Sequence, residues 1–248
     1  MNPLHLPRGA RTLWLATLGA GALAVAASGW PGGVALLVWL PAFVVGELFW
    51  VRTAGRRGTI STSMLVHLAA VALLPAGQAV APAAAVALWA DLRVQRKPWV
   101  KAAYNAALLA VTLWAAGAAF HAGEALTPGP SPALAGAWLA LAGVVYWVVN
   151  RAGVVAIVAL AEGIPWTRAW QENFLFGYEV LVSGVKVVLA WALVALWPRM
   201  GPLGLAGLGV LCFFLNDSYR RRNRLEELQT GAEEPGGAAS EGRRDAAA

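Results

Sequence analysis

The sequence predicts an all-α protein that crosses a membrane several times. Of the 248 residues, 59% are hydrophobic and only 13% are charged, whereas soluble domains carry roughly 25% charged residues. Apolar runs recur along most of the chain, and several approach the ~20 residues that a bilayer-crossing helix needs. We therefore expect a polytopic transmembrane helix bundle over residues 1–219, with no room for a folded soluble domain.

Turn signals rich in Gly and Pro divide the apolar residues into about eight helices. The expected helices cover approximately 12–28, 34–51, 60–74, 83–92, 99–121, 134–161, 174–197 and 203–215. The third and fourth are shorter than a straight span requires, so 60–92 either crosses twice or forms a re-entrant pair among six full spans. The first run, after Arg8 and Arg11, resembles a signal peptide, but the further spans favour an uncleaved helix.

The basic residues predict the orientation of these helices. If the N-terminus is cytoplasmic and the helices alternate, the outer loops contain Arg199 as their only basic residue, which agrees with the positive-inside rule. The cytoplasmic segments then contain Arg8, Arg11, Arg52, Arg56, Arg57, Arg93, Arg96, Lys97, Lys101, Arg168 and the arginines of 220–224. We expect a protein of a bacterial inner (plasma) membrane with both termini in the cytoplasm. The net charge of +6 then reflects topology and not binding to nucleic acid.

Two segments lie outside the apolar runs. In the connection after Pro165, Trp166 and Trp170 are four residues apart and share a helical face, which is typical of a short helix lying in the membrane interface. The tail over 220–248 is first basic and then rich in Gly, Ala, Glu and Ser, and it is predicted to be disordered in the cytoplasm. Its arginines indicate a topological anchor, with a signalling helix or a patch for anionic lipids as alternatives.

Enzyme motifs are missing from the sequence. It contains no HExxH, no GxGxxG after a strand and no GxxxxGK loop. The three histidines are far apart, and Cys212 has no second cysteine to pair with. We therefore predict a protein that is not an enzyme, with no catalytic residues, no metal site and no cofactor.

Polar residues inside the sixth and seventh helices form the candidate ligand site. Arg151 lies about 15 Å from the C-terminal end of its helix, and Glu179 and Lys186 lie about 8 Å and 18 Å into theirs. Because the two helices are antiparallel, Arg151 and Glu179 are expected partners. Side chains lean toward the N-terminus of a helix, which brings Arg151 and Lys186 to a similar depth. Two cations would then face one acid.

Other polar residues are expected near this group. Asn150, Asn105 and His67 would add hydrogen bonds, and Glu47 would supply a second acid nearer the cytoplasm. One interpretation is a satisfied structural network that sets helix packing, and His67 by itself is typical of a packing residue. The other is a partly hydrated pocket whose excess positive charge binds an anionic or carbonyl-bearing ligand, since charges inside a membrane are costly and often functional.

The order of the central motifs resembles a known type of membrane domain. Asp91 precedes RKPWVKAAYNAALL at Arg96–Leu109, and VVNRAGVV at Val148–Val155 is followed by QENFLF at Gln171–Phe176. Over roughly residues 35–220 this resembles the multi-pass sensory regions that precede GGDEF or HD-GYP signalling domains in bacteria. The sequence departs from that pattern in lacking an output domain after residue 220.

The resemblance implies a sensory or regulatory module that binds a small molecule, or responds to the membrane, and acts through a separate partner subunit. The helix count is also similar to that of the substrate-binding membrane subunits of energy-coupling vitamin transporters. A small-solute transport subunit and a purely structural membrane protein are therefore the alternative functions.

Overall fold

A computed structural model of the chain describes residues 5–52, 59–127, 129, 131–174, 176–207, 209–210, 213–214, 217–218 and 221. The described residues are helical apart from one small hairpin and the connections. The helices are α1 (Arg8–Ala27), α2 (Gly33–Leu48), α3 (Ser63–Leu73), α4 (Val80–Trp89), α5 (Trp99–Leu126), α6 (Pro132–Glu162), α7 (Trp166–Asn173) and α8 (Phe176–Met200). A π-helical turn, Ala90–Val94, continues α4. Beyond α8 the described residues, from 202 onward, are helical again.

Helix α5 lies at the centre of the bundle and packs extensively against α1, α4 and α6. It runs parallel to α1, whose Trp14 Nε1 donates a hydrogen bond to the Val100 carbonyl at 2.9 Å. It runs antiparallel to α6, and the Tyr104 hydroxyl donates to the Gly153 carbonyl at 2.8 Å. These two contacts place the N-termini of α1 and α5 and the C-terminal part of α6 at one end of the bundle.

Helices α3 and α4 form a buried pair inside the bundle. Nine consecutive residues of α3, from Ser63 to Val71, are buried, as are most residues of α4. At 1.5 Å per residue the two helices are about 16 Å and about 15 Å long, well short of the ~30 Å hydrocarbon core. The turn between them reaches the end of α1, where the Gly77 backbone lies against Ser28.

Four described helices are long and apolar enough to cross a membrane: Arg8–Ala27, Trp99–Leu126, Pro132–Glu162 and Glu179–Met200. Helices α2 and α3 are shorter apolar helices. Large apolar side chains such as Leu23, Val34 and Leu181 are exposed on the outside of the bundle, as expected where lipid is the solvent. The structure confirms the predicted all-α class and the presence of apolar helices long enough to cross a membrane. The number of crossings and the cytoplasmic location of the termini stay predictions.

The structure corrects the expected helices around the basic loop after residue 51. Helix α2 ends at Leu48 and α3 begins at Ser63, and between them the strands β1 (Trp50–Arg52) and β2 (Thr59–Ser61) pair antiparallel. Val, Ile, Thr and Trp are frequent in strands, so continuing the helices through these residues was wrong. Residues 53–58 and almost all of the predicted disordered tail lie outside the described residues.

The C-terminal ends of α5 and α8 also differ from the expected ones. Helix α5 continues past His121 to Leu126, and α8 includes Pro198 in its last turn. A proline near a helix C-terminus removes a single backbone hydrogen bond. The packing of α8 against α3 and α6 is compatible with that loss.

Candidate functional site: a polar cavity in the bundle

A cavity of about 300 Å³ lies between α2, α3, α4, α5, α6 and α8. The segment after the π-helical turn and the C-terminal end of α7 border it at the end of the bundle that contains the start of α5. Its lining is Glu47, Ser63, Met64, Ala87, Gln95, Lys97, Asn105, Leu108, Leu109, Tyr146, Trp147, Asn150, Arg151, Val154, Asn173, Phe174, Ser183 and Lys186. Four of the six predicted site residues, Asn105, Asn150, Arg151 and Lys186, therefore border one space.

Arg151 and Glu179 form the ion pair that the helix geometry predicted. Arg151 Nη2 lies 2.5 Å from Glu179 Oε2, and the two side chains are 17% and 6% exposed. The Arg151 guanidinium also lies 4.4 Å from the centre of the Phe174 ring, a cation–π contact. Glu179 is not part of the cavity wall. Its effect on the cavity is to hold Arg151 in place.

A second charged cluster, centred on Asp91, was not predicted. Asp91 is buried, and its carboxylate accepts hydrogen bonds from Lys97 Nζ at 2.7 Å and Asn105 Nδ2 at 2.6 Å. From the sequence, Asp91 was expected at the end of a helix and Lys97 in a cytoplasmic loop. The sequence feature that could have indicated this cluster is the motif itself: Asp91 stands six residues before Lys97, and Pro98 follows.

The backbone explains how the Asp91 cluster forms. The π-helical turn at Ala90–Val94 carries Asp91, and π-helical turns recur at functional sites. The chain then folds back, with Arg96 at φ 52° and the Lys97 amide donating to the Asp91 carbonyl at 2.8 Å. This tight return points Lys97 inward, whereas an ordinary α-helical end would leave it in solvent.

His67 lies behind the cavity wall. It is fully buried, its Nδ1 is 3.0 Å from the Tyr146 hydroxyl, and its Nε2 is 3.7 Å from Glu47 Oε1. Nε2 has no hydrogen-bond partner within the described part of the chain. His67 therefore does not border the cavity, but it contacts two residues, Tyr146 and Glu47, that do.

Among the residues that the structure describes, the formal charges around the cavity are balanced. The acids Glu47, Asp91 and Glu179 are matched by the cations Lys97, Arg151 and Lys186. The expected excess of positive charge compared Arg151 and Lys186 with Glu179, and Glu47 was expected nearby as a second acid. The addition from the structure is the Asp91–Lys97 pair after α4, which brings one acid and one cation to the same place.

Aromatic residues close the cavity on the α7 side. Trp170 packs against Trp147, Phe174 and Phe176, with ring centroids 5.5–6.3 Å apart. Trp166 is exposed on the same short helix. The predicted interfacial helix thus presents only one of its two tryptophans outward.

Arg168 and Glu172 pair on the solvated side of α7. Their side chains are 2.7 Å apart, and the hydrogen bond from the guanidinium to Glu172 raises the pKa of Arg168. Because Arg168 is exposed, this pair belongs to the surface and has no contact with the cavity.

A larger cavity of about 690 Å³ lies between α2 and the helical residues after 202. The described part of its wall is formed by apolar side chains, Thr62 and glycine, and includes no charged residue. The smaller polar cavity is the better candidate site, because convergent polar groups are what give a pocket specificity. Across the described ranges, no cluster of three or more His, Cys, Asp or Glu side chains is arranged to hold a metal ion.

Comparison of the chain with protein-family models, with characterised proteins and with solved structures gives no significant match.

Proposed function

We propose that this chain is a membrane-embedded binding protein for a small polar molecule, and that it acts as a sensory or regulatory module through a partner subunit. The observation that carries the proposal is the polar cavity of about 300 Å³ inside an apolar bundle. Arg151 is paired with Glu179 and Lys97 with Asp91. Both cations, together with Lys186, also border the open space, where a polar molecule could contact them.

The position of the cavity supports a sensory role. Lys97, in the segment after the π-helical turn, and Phe174, just after α7, both border it. A bound molecule would therefore contact two connecting segments at the same end of the bundle. In the predicted orientation this end faces the cytoplasm, where a partner subunit would respond to a shift of either segment.

A transport subunit is the second candidate. Discontinuous helices often surround the substrate in transporters, and the cavity borders α3, α4 and the π-helical turn, which are short or irregular. Measuring transport of the bound molecule across a membrane distinguishes a transport subunit from a sensor. A transport subunit moves the bound molecule into proteoliposomes containing its partner proteins, whereas a sensor binds the molecule without flux.

Ligand binding is tested by purifying the full chain in lipid nanodiscs and identifying released small molecules by mass spectrometry. We expect the wild-type chain to release a small polar molecule. Ser183→Trp fills the cavity without changing a charge, and it should abolish this release. The matched control is Gly184→Trp, because Gly184 faces open space on the same helix. Equal release from the Ser183→Trp and wild-type proteins would contradict the proposal.

A further inference from the structure

Resting on the proposed function, we propose that the ligand of the polar cavity is a small molecule with an N–H group beside a carbonyl group, such as a primary carboxamide or a lactam. The argument is the hydrogen-bonding capacity that the cavity wall keeps after its own contacts within the protein are made.

Four side-chain amides from four different elements border the cavity. Gln95 follows the π-helical turn, Asn105 lies on α5, Asn150 on α6 and Asn173 at the end of α7. Each amide carries a carbonyl acceptor and an N–H donor side by side. A small number of convergent polar groups is what fixes the orientation of a ligand in a pocket, so these amides are the groups to match with a ligand.

Two of the amides use their nitrogen atoms within the protein. Asn105 Nδ2 donates to the Asp91 carboxylate at 2.6 Å, and Asn173 Nδ2 donates to the Ala169 carbonyl at 2.8 Å. These contacts turn each nitrogen toward its partner. The atom that each of these amides has left for a ligand is its carbonyl oxygen, which is an acceptor and requires a donor on the ligand.

The other two amides keep both functions. Asn150 and Gln95 make no hydrogen bond to another residue that the structure describes, and both border the cavity. A side-chain amide with both atoms available pairs with an adjacent donor and acceptor through two hydrogen bonds, as asparagine and glutamine do with the edge of adenine. Asn150 and Gln95 would each recognise an amide group in this way.

The cations of the wall already have partners, but they keep further N–H donors. Lys97 is paired with Asp91, Arg151 uses Nη2 for Glu179, and Lys186 also has an interaction within the protein. A guanidinium has five N–H donors and an ammonium has three. The remaining donors would bind a carbonyl oxygen of the ligand without breaking these pairs.

This combination of groups favours a carboxamide over simpler ligands. A carboxylate or a ketone has no donor, so the carbonyl oxygens of Asn105 and Asn173 would be left without a partner. An amine has no carbonyl oxygen to accept from Arg151. The volume of about 300 Å³ is at the lower end of the range for ligand pockets, which indicates a small molecule.

The test measures the binding of matched compounds to the full chain in phosphatidylcholine nanodiscs by calorimetry. Nicotinamide is compared with the methyl ketone and the carboxylate on the same ring position, and benzamide with acetophenone and benzoate. Pyrrolidinone is compared with cyclopentanone. We expect at least one amide to bind about 10- to 100-fold more tightly than its ketone and its carboxylate, because only the amide satisfies the buried acceptors.

Two variants test the role of the amide side chains. Asn150→Leu and Gln95→Met keep the approximate size of each side chain and remove its donor and acceptor. Both should lower the preference for the amide over the matched ketone, while the affinity for the ketone stays similar. The control is Gln78→Met, because Gln78 is similarly half-buried but lies in the turn between α3 and α4, outside the cavity wall. Size-exclusion profiles and melting temperatures show whether each variant is folded.

The outcomes separate this inference from the proposed function. The ligand class is wrong if no amide binds, if every ketone or carboxylate binds as tightly as its amide, or if the released molecule has no N–H beside a carbonyl. An unchanged preference in both Asn150→Leu and Gln95→Met would also overturn it. The binding function stands in these cases as long as the wild-type chain releases a small molecule, and it fails if none is released.

Discussion

At the scale of single residues, the Arg151–Glu179 pair shows why charges persist inside this bundle. Each charge alone would be expensive in an apolar environment, and the pair repays part of that cost through a short, directed contact. Phe174 adds a cation–π contact to the same guanidinium. The pair therefore holds the Arg151 side chain at the cavity wall.

We predict that Arg151→Met lowers the free energy of unfolding by about 3 kcal/mol, because it leaves Glu179 buried without its cation. The double variant Arg151→Met with Glu179→Gln should recover much of this loss, since no buried charge remains unpaired. A double-mutant cycle on thermal unfolding in detergent measures the coupling between the two residues.

The exposed pair Arg168–Glu172 is the control for that cycle. It has the same charges on the surface of α7, where ion pairs contribute little. Arg168→Met should therefore leave the melting temperature nearly unchanged. Additive effects of Arg151→Met and Glu179→Gln would show that the buried pair is not coupled in the folded protein.

At the scale of helices, close packing depends on glycine where α1 crosses α5. A Cβ atom at Gly21 would lie 2.7 Å from the Ala107 Cα, inside van der Waals contact with the backbone of α5. Small residues allow helices in membranes to approach closely. A Cβ atom at Gly19, two residues earlier on α1, would instead meet no described neighbour within 4 Å.

We predict that Gly21→Ala destabilises the protein by about 1–3 kcal/mol, because it forces α1 away from α5. Gly19→Ala on the same helix should be neutral or stabilising by up to about 1 kcal/mol, since alanine is the better helix former. Thermal unfolding of both variants in the same detergent checks the contrast. Equal effects of the two substitutions would mean that α1 does not cross α5 at Gly21.

At the scale of the whole molecule, the directions of the helices and the positions of the basic residues together predict how the bundle is oriented in the membrane. The N-termini of α1 and α5 and the C-terminal part of α6 lie at one end of the bundle. The positive-inside rule predicts that the segments at this end are cytoplasmic. The α5–α6 connection is then predicted to lie on the opposite side of the membrane.

We predict that a membrane-impermeant maleimide labels Leu126→Cys on intact cells and labels Thr167→Cys only after the cells are permeabilised. Both positions are exposed, Leu126 at the end of α5 and Thr167 on α7. The background for both variants is Cys212→Ser, which removes the natural cysteine and should give no labelling by itself. Labelling of Thr167→Cys on intact cells would overturn the predicted orientation.

Much of the candidate site followed from sequence periodicity, and the rest did not. Arg151, Glu179 and Lys186 were predictable because two consecutive antiparallel helices set their depths by the rise per residue. Asp91 and Lys97 were not, because their inward position depends on a π-helical turn and a positive φ at Arg96. Neither the π-helical turn nor the positive φ produces a periodic pattern of hydrophobic residues that could be recognised in the sequence.

By itself, the sequence determined the all-α class, the membrane-type helices and the partnership of Arg151 with Glu179. These properties depend on composition and on local helix geometry, which act over a few turns of the chain. Only the tertiary structure decided that α3 and α4 are a buried pair, that β1 and β2 replace the helix ends, and that acids and cations balance around one cavity. These features arise from contacts between segments distant in sequence, and local patterns carry no record of such contacts.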